Sequence, residues 1–167
     1  MKRFILTLFA AFSMILGANA QSKIAHINSS ELMSVMPEMK DFETKMKNYE
    51  TELRNQLESM QKELQENYLQ WTQDTVSSEV VMQIKKKKME DLQATIQEFS
   101  QNAEQSMQKK KEELYLPIYN KAKNAINEVA KARGFDYVLD SSEGLGVIVA
   151  LSGNDLLNDV KKKLGII

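Results

Sequence analysis

The chain contains no cysteine, which excludes thiol chemistry, disulfide bracing and cysteine-ligated metals. It has a single histidine, His26, with no second histidine to complete a metal site or a proton relay. No glycine-rich loop opens a helix, so a phosphate cradle is not expected. Neither sign of charge dominates: 22 basic side chains stand against 23 acidic ones, a net charge of −1, which does not describe a nucleic-acid binder. These gaps point away from an enzyme and away from any cofactor, and His26 reads as an ordinary packed or surface residue of a strand.

Glycine and proline are scarce where their scarcity matters most. From Glu38 to Arg133 there is no glycine and only one proline, Pro117. Through that stretch apolar residues recur every three or four positions. Met39, Phe42, Met46, Tyr49, Leu53, Leu57, Met60, Leu64, Tyr68 and Trp71 form one stripe. Met89, Leu92, Ile96, Phe99, Ala103, Met107 and Leu114 form another, and the short polar break Asp74–Ser78 separates them. The pattern predicts two long amphipathic helices folded back on each other. Partners across such a hairpin, such as Met46 with Met107, Leu64 with Met89 and Trp71 with Met82, have numbers that add to a constant near 153, which centres the turn on Val76. Pro37 and Pro117 fall at almost the same level, and each arm beyond them is about 57 Å long at 1.5 Å per residue. Pro117 is expected to kink the returning helix without ending it.

The first residues carry Lys2 and Arg3, an apolar run from Phe4 to Leu16, and Ala18-Asn19-Ala20. That is the layout of a secretory signal peptide, residues 1–20, with cleavage expected after Ala20 and export to the periplasm. Loss of Lys2 and Arg3 leaves 20 basic against 23 acidic side chains, so the mature charge is −3. No later segment is apolar enough to span a bilayer.

Short strands are expected from both ends of the mature chain. Lys23–Asn28 reads as the first, followed by an Asn28–Glu31 capping pattern and a short helix that Pro37 interrupts. The long returning helix should stop at Gly134. Phe135–Leu139 and Val147–Ala150 read as two more strands, and Gly153-Asn154-Asp155 as the start of a last helix that Gly165 caps. The fold class is therefore α+β: a helical hairpin, residues 37–117, on a small strand-rich body made from 21–36 and 118–167. A hairpin in which each helix has one partner buries little, and three short strands leave exposed edges. Association through Ile24, Ile27, Phe135, Tyr137, Leu139, Val147 and Val149 is expected, and three copies would close a nine-stranded core. A homotrimer follows.

The strand Lys23–Asn28, the run Gly134–Asp140 and the closing Asn154–Lys161, in that order around a long hairpin, resemble the Skp/OmpH family of periplasmic chaperones over essentially the whole mature chain. The resemblance implies a jellyfish-shaped trimer whose helical tentacles surround a cavity. It also implies ATP-independent holding of unfolded outer-membrane β-barrel proteins before their insertion. Well-known members are strongly basic whereas this chain is slightly acidic, so membrane or lipopolysaccharide contact is a weaker expectation here than the fold. The competing reading is an envelope adaptor that docks one partner through the hairpin tip.

Near that tip, Trp71, Met82, Lys85, Lys86, Lys87 and Lys88 are candidates for contact with a client or a surface. Lysine runs are more often solvated helix faces. The eight mature methionines, Met33 to Met107, suit adaptable surfaces, but the pairing register assigns most of them to the seam.

Overall fold

A computed structural model describes residues 22–74, 76–144 and 153–167. In chain order the elements are β1 (Ile24–Ile27), α1 (Ser29–Val35), α2 (Pro37–Gln73), α3 (Glu79–Arg133), β2 (Tyr137–Asp140), β3 (Asn154–Asp155) and α4 (Leu157–Lys163). The fold is α+β, dominated by the two long helices. The chain divides into two compact units, one being Pro37–Tyr119 and the other the described residues up to Met36 together with Asn120–Ile167.

The first unit is the hairpin. Pro37 opens α2 at the position where its missing N–H costs nothing, and α3 continues past Pro117. No residue of α2 is buried, because one neighbouring helix shields only a stripe. The stripe itself is half-buried, and Leu64 shares one cleft with Met89, while Leu53 and Leu57 share another with Phe99 and Ala103. That is the level the constant-sum register assigns them. Tyr68 departs from expectation. It is 52 % exposed, and Asn67 takes the half-buried place. The steps 57, 60, 64, 67, 71 alternate three and four, which keeps a seam in line, whereas a step from 64 to 68 rotates the side chain outward. At the far end, Phe42 and Tyr115 meet edge to face with centroids 6.1 Å apart, and Tyr115 stacks on Tyr119 at 6.3 Å.

The turn between the helices is held by Asp74. Its carboxylate accepts from the backbone N–H groups of Val76 (3.2 Å) and Ser77 (3.1 Å), from the Ser77 hydroxyl and from the Lys85 ammonium. These contacts, that with Lys85 foremost, hold the Asp74 carboxyl far below the usual carboxylate range.

The second unit is built on a parallel sheet of order β2-β1-β3, in which Ile24 pairs with Tyr137, Ile27 with Asp140, and His26 with both Leu139 and Asp155. Two expectations are corrected here. Phe135 precedes β2 and lies outside the sheet, because it belongs to the stop of α3. Gly134 has φ +70° and donates to the Lys131 carbonyl while Phe135 donates to Ala130, a left-handed helix stop that uses the Phe135 amide. Likewise Asn154 and Asp155 form β3 instead of opening the last helix, since the next amide, that of Leu156, donates to the His26 carbonyl at 3.0 Å. The helix begins two residues later, with the Asp155 carboxylate accepting from the Leu157 N–H. The expected strand Val147–Ala150 lies outside the described residues.

The core of this unit combines Ala25 and Ile27 from β1, Leu32, Met33 and Met36 from and just after α1, Ala122, Ala125, Val129 and Ala130 from α3, and Leu156, Leu157 and Val160. Leu32, Leu156 and Val160 are wholly buried, each contributing about 1.5–3 kcal/mol of transfer free energy. Asn28 caps α1 by accepting from the Glu31 N–H at 3.0 Å. The reciprocal half of a capping box is replaced, since the Glu31 carboxylate reaches Lys161 of α4 at 2.9 Å. Lys163 with Glu128 (2.7 Å) and Arg133 with Asp159 complete a set of ion pairs around α4.

Candidate functional site

Among the described residues no group of acidic or histidine side chains could hold a metal ion, and no helix is long and apolar enough to cross a membrane. Two surfaces remain: the sheet face that carries Ile24, Tyr137 and Leu139, and the end of the hairpin.

Strand alternation and parallel pairing put Ile24, His26, Tyr137 and Leu139 on one face. Ile24, Tyr137 and Leu139 are exposed there, at 51, 60 and 38 %. Three large apolar side chains side by side on a sheet face are unusual for a surface that stays wet. Ile27, by contrast, belongs to the opposite face and is buried in the chain's own core. Phe135 is half-buried beneath the Arg133 guanidinium, 5.6 Å from its ring centroid. Val147 and Val149 lie outside the described residues. His26 is 7 % exposed, and neither ring nitrogen has a hydrogen-bond partner among the described residues. Gly153 lies against it: a Cβ there would sit 3.3 Å from the imidazole Cδ2, a tight contact that the ring would have to relieve by a few tenths of an ångström.

The sequence reading missed the polar knot at the edge of this sheet. Asp140, at the end of β2, accepts from the Ser29 N–H (3.2 Å) and hydroxyl and from the Ser142 N–H (3.0 Å) and hydroxyl (2.7 Å). Ser142 is 7 % exposed and also takes the Ser30 N–H at 3.0 Å. Burial raises the Asp140 pKa, but the hydrogen bonds from Ser29 and Ser142 outweigh it, and the net direction is downward. The signal was present as two hydroxyl pairs, Ser29-Ser30 and Ser141-Ser142, each following an Asn or Asp. Each pair alone reads as a cap or a turn.

At the hairpin end, Trp71 and Met82 are half-buried in the seam, and Lys85 is held by Asp74. Lys86 lies 3.8 Å from Glu90, while Lys87 and Lys88 are exposed with no ion pair among the described residues. So the lysine run divides into one structural member and three outward ones.

The OmpH-like outer membrane protein family matches residues 23–164. The chain belongs to this family. No curated protein matches it. Among solved structures it is similar to a protein from Caulobacter crescentus proposed as an outer membrane chaperone (OmpH-like), at 13 % identity and a TM-score of 0.72, over 88 % of this chain and 86 % of that one. At that identity the likeness speaks for the fold alone. It agrees with an OmpH-like architecture in which two long helices accompany a small sheet.

Proposed function

We propose that this OmpH-like protein is a periplasmic, ATP-independent holdase that binds unfolded outer-membrane β-barrel proteins and keeps them from aggregating before insertion. The observation that carries the reading is the set of exposed apolar side chains Ile24, Tyr137 and Leu139 on one sheet face, in a chain whose other unit is a slender hairpin with a half-buried seam. Such a face is stable when other copies cover it, and a homotrimer joined there gathers three hairpins in one assembly, as the family resemblance implies. A client held by several hairpins through many weak contacts stays disordered, so little conformational entropy is lost on capture. Membership of the OmpH-like family supports the chaperone role, and the likeness to the Caulobacter protein supports the fold it uses. The amino-terminal pattern through Ala20 supports export.

The test is dilution of a urea-denatured outer-membrane β-barrel protein into buffer without ATP, with and without the mature chain, followed by light scattering. The expected result is suppression of scattering at near-stoichiometric chaperone, with a complex mass of three chains plus one client. Unchanged scattering sinks the reading.

A further inference from the structure

The seam of the hairpin carries a chemistry that packing alone does not use. The mature chain has eight methionines and no cysteine. Two of the eight, Met33 and Met36, are closed into the core of the body at 9 and 2 % exposure. The other six, Met39, Met46, Met60, Met82, Met89 and Met107, all lie on the seam, and all six are half-buried. Solvent reaches the seam from its flanks. Met89 lines a cleft of 470 Å³ with Leu64 and Trp71, and Met107 lines one of 310 Å³ with Leu53, Leu57 and Phe99. Both clefts have room for a molecule little larger than water.

We infer that these six thioethers are an oxidant-reactive site, and that their conversion to sulfoxides by a peroxide parts the two helices while the body stays folded. The thioether sulfur attacks one peroxide oxygen, the O–O bond breaks and water leaves. Sulfur loses two electrons and the peroxide gains them. A thiolate would take the oxidant first, but this chain has none. The structural effect follows from where the sulfurs sit. A sulfoxide is polar and chiral, and its oxygen needs a donor. The register sets Met46 against Met107, whose cleft offers it the apolar Leu53, Leu57 and Phe99. Rotating the sulfoxide out to water satisfies the oxygen but withdraws the side chain from the seam. Contact is lost either way. Because α2 has no buried residue, a weakened seam has no second layer behind it. In the body the shielding of Met33 and Met36 keeps the core unmodified. The inference does not rest on the holdase reading, since it concerns the hairpin whatever the hairpin holds.

The test is addition of hydrogen peroxide to the mature protein. Oxygen uptake is mapped by peptide mass spectrometry, alongside amide hydrogen exchange and the emission of Trp71, the only tryptophan. The six seam methionines should be oxidised before Met33 and Met36. Exchange of α2 amides should then rise at least about tenfold, with the amides of Ala25 and Leu156 unchanged. Trp71 emission should move to the red as the cleft it shares with Met89 opens. Methionine sulfoxide reductases with a dithiol remove the oxygen as water while the dithiol becomes a disulfide, and this should restore exchange and emission. The variant M39L/M46L/M60L/M82L/M89L/M107L, a set of swaps of similar volume, should ignore peroxide. Seam sulfoxides with unchanged exchange and emission, earlier oxidation of Met33 or Met36, or the same opening in the leucine variant overturns the inference. So does an opening that persists after the reductases have removed the sulfoxides, a readout that needs no variant to fold.

Discussion

The two units of this chain are stabilised in different ways. In the sheet-bearing unit Leu32, Leu156 and Val160 are fully removed from water. In the hairpin α2 has no buried residue at all, and in α3 the first buried side chain is Ile118. A closed interior makes structure cooperative, because removing one side chain is felt by all its neighbours. A seam open on both flanks leaves each turn of helix dependent on its own propensity and one layer of contacts. The hairpin should therefore open in segments at lower free energy than the body unfolds. Hydrogen exchange tests this: amides of Ala25 and Leu156 should be protected to nearly the global free energy, with the α2 amides exchanging earlier and in graded fashion.

The largest effect should follow from removing the sheet face proposed to join copies. Ile24→Asp combined with Tyr137→Asp is expected to reduce the native mass from the proposed three chains to one and to abolish the proposed aggregation suppression, while each chain keeps its helicity. A trimer of unchanged mass would show that other surfaces hold the copies together. Next comes Leu32→Ala, which should cost about 2–5 kcal/mol in urea unfolding because its site is closed on all sides. The equivalent change in the hairpin, Leu57→Ala, should cost clearly less, as its side chain is only half-buried. Equal losses would erase the distinction between the units.

Asp140→Ala should destabilise the body by about 1–3 kcal/mol, since it leaves the Ser29 and Ser142 donors without their acceptor. The same carboxylate sets an acid dependence. Its folded pKa lies below the ordinary 3.8, so its stabilisation is complete above that value and is lost as pH falls through the folded pKa. Asp74 acts in the same direction at the turn, and its loss should raise exchange there without moving the body's unfolding midpoint. The smallest effect is expected for Gly134→Ala, about 1 kcal/mol for placing a Cβ at φ +70°, with open space around it.

What could be read from sequence follows the same division. The hairpin is written in local spacing, and stripes, turn and helix stops were legible because each depends on residues three to five apart. Its one error, Tyr68 for Asn67, arose because an aromatic residue looks apolar while a polar asparagine fits the seam better by position. The body is held by pairings more than a hundred residues apart, such as Ile24 with Tyr137 and Ser29 with Asp140. Nothing local in Asn154-Asp155 suggests a strand: neither residue favours extended pairing, and only the neighbouring β1 makes one of them. Of the tip, the lysine run was visible, but the capture of Lys85 by Asp74 was not, since it needs the turn to bring residues 11 apart together.

The central place of β1 has a consequence for the order of events during synthesis. This strand is made first, yet its neighbours on both sides, β2 and β3, come from beyond residue 136. The hairpin, whose contacts are nested about one turn, is complete before either neighbour exists, and low-separation contacts form fastest. A nascent chain thus carries a formed hairpin and a lone, apolar first strand until almost its last residues arrive. Truncation after Gly134 should leave a helical but bodiless chain, in which the sheet face of Ile24, Tyr137 and Leu139 has never been assembled.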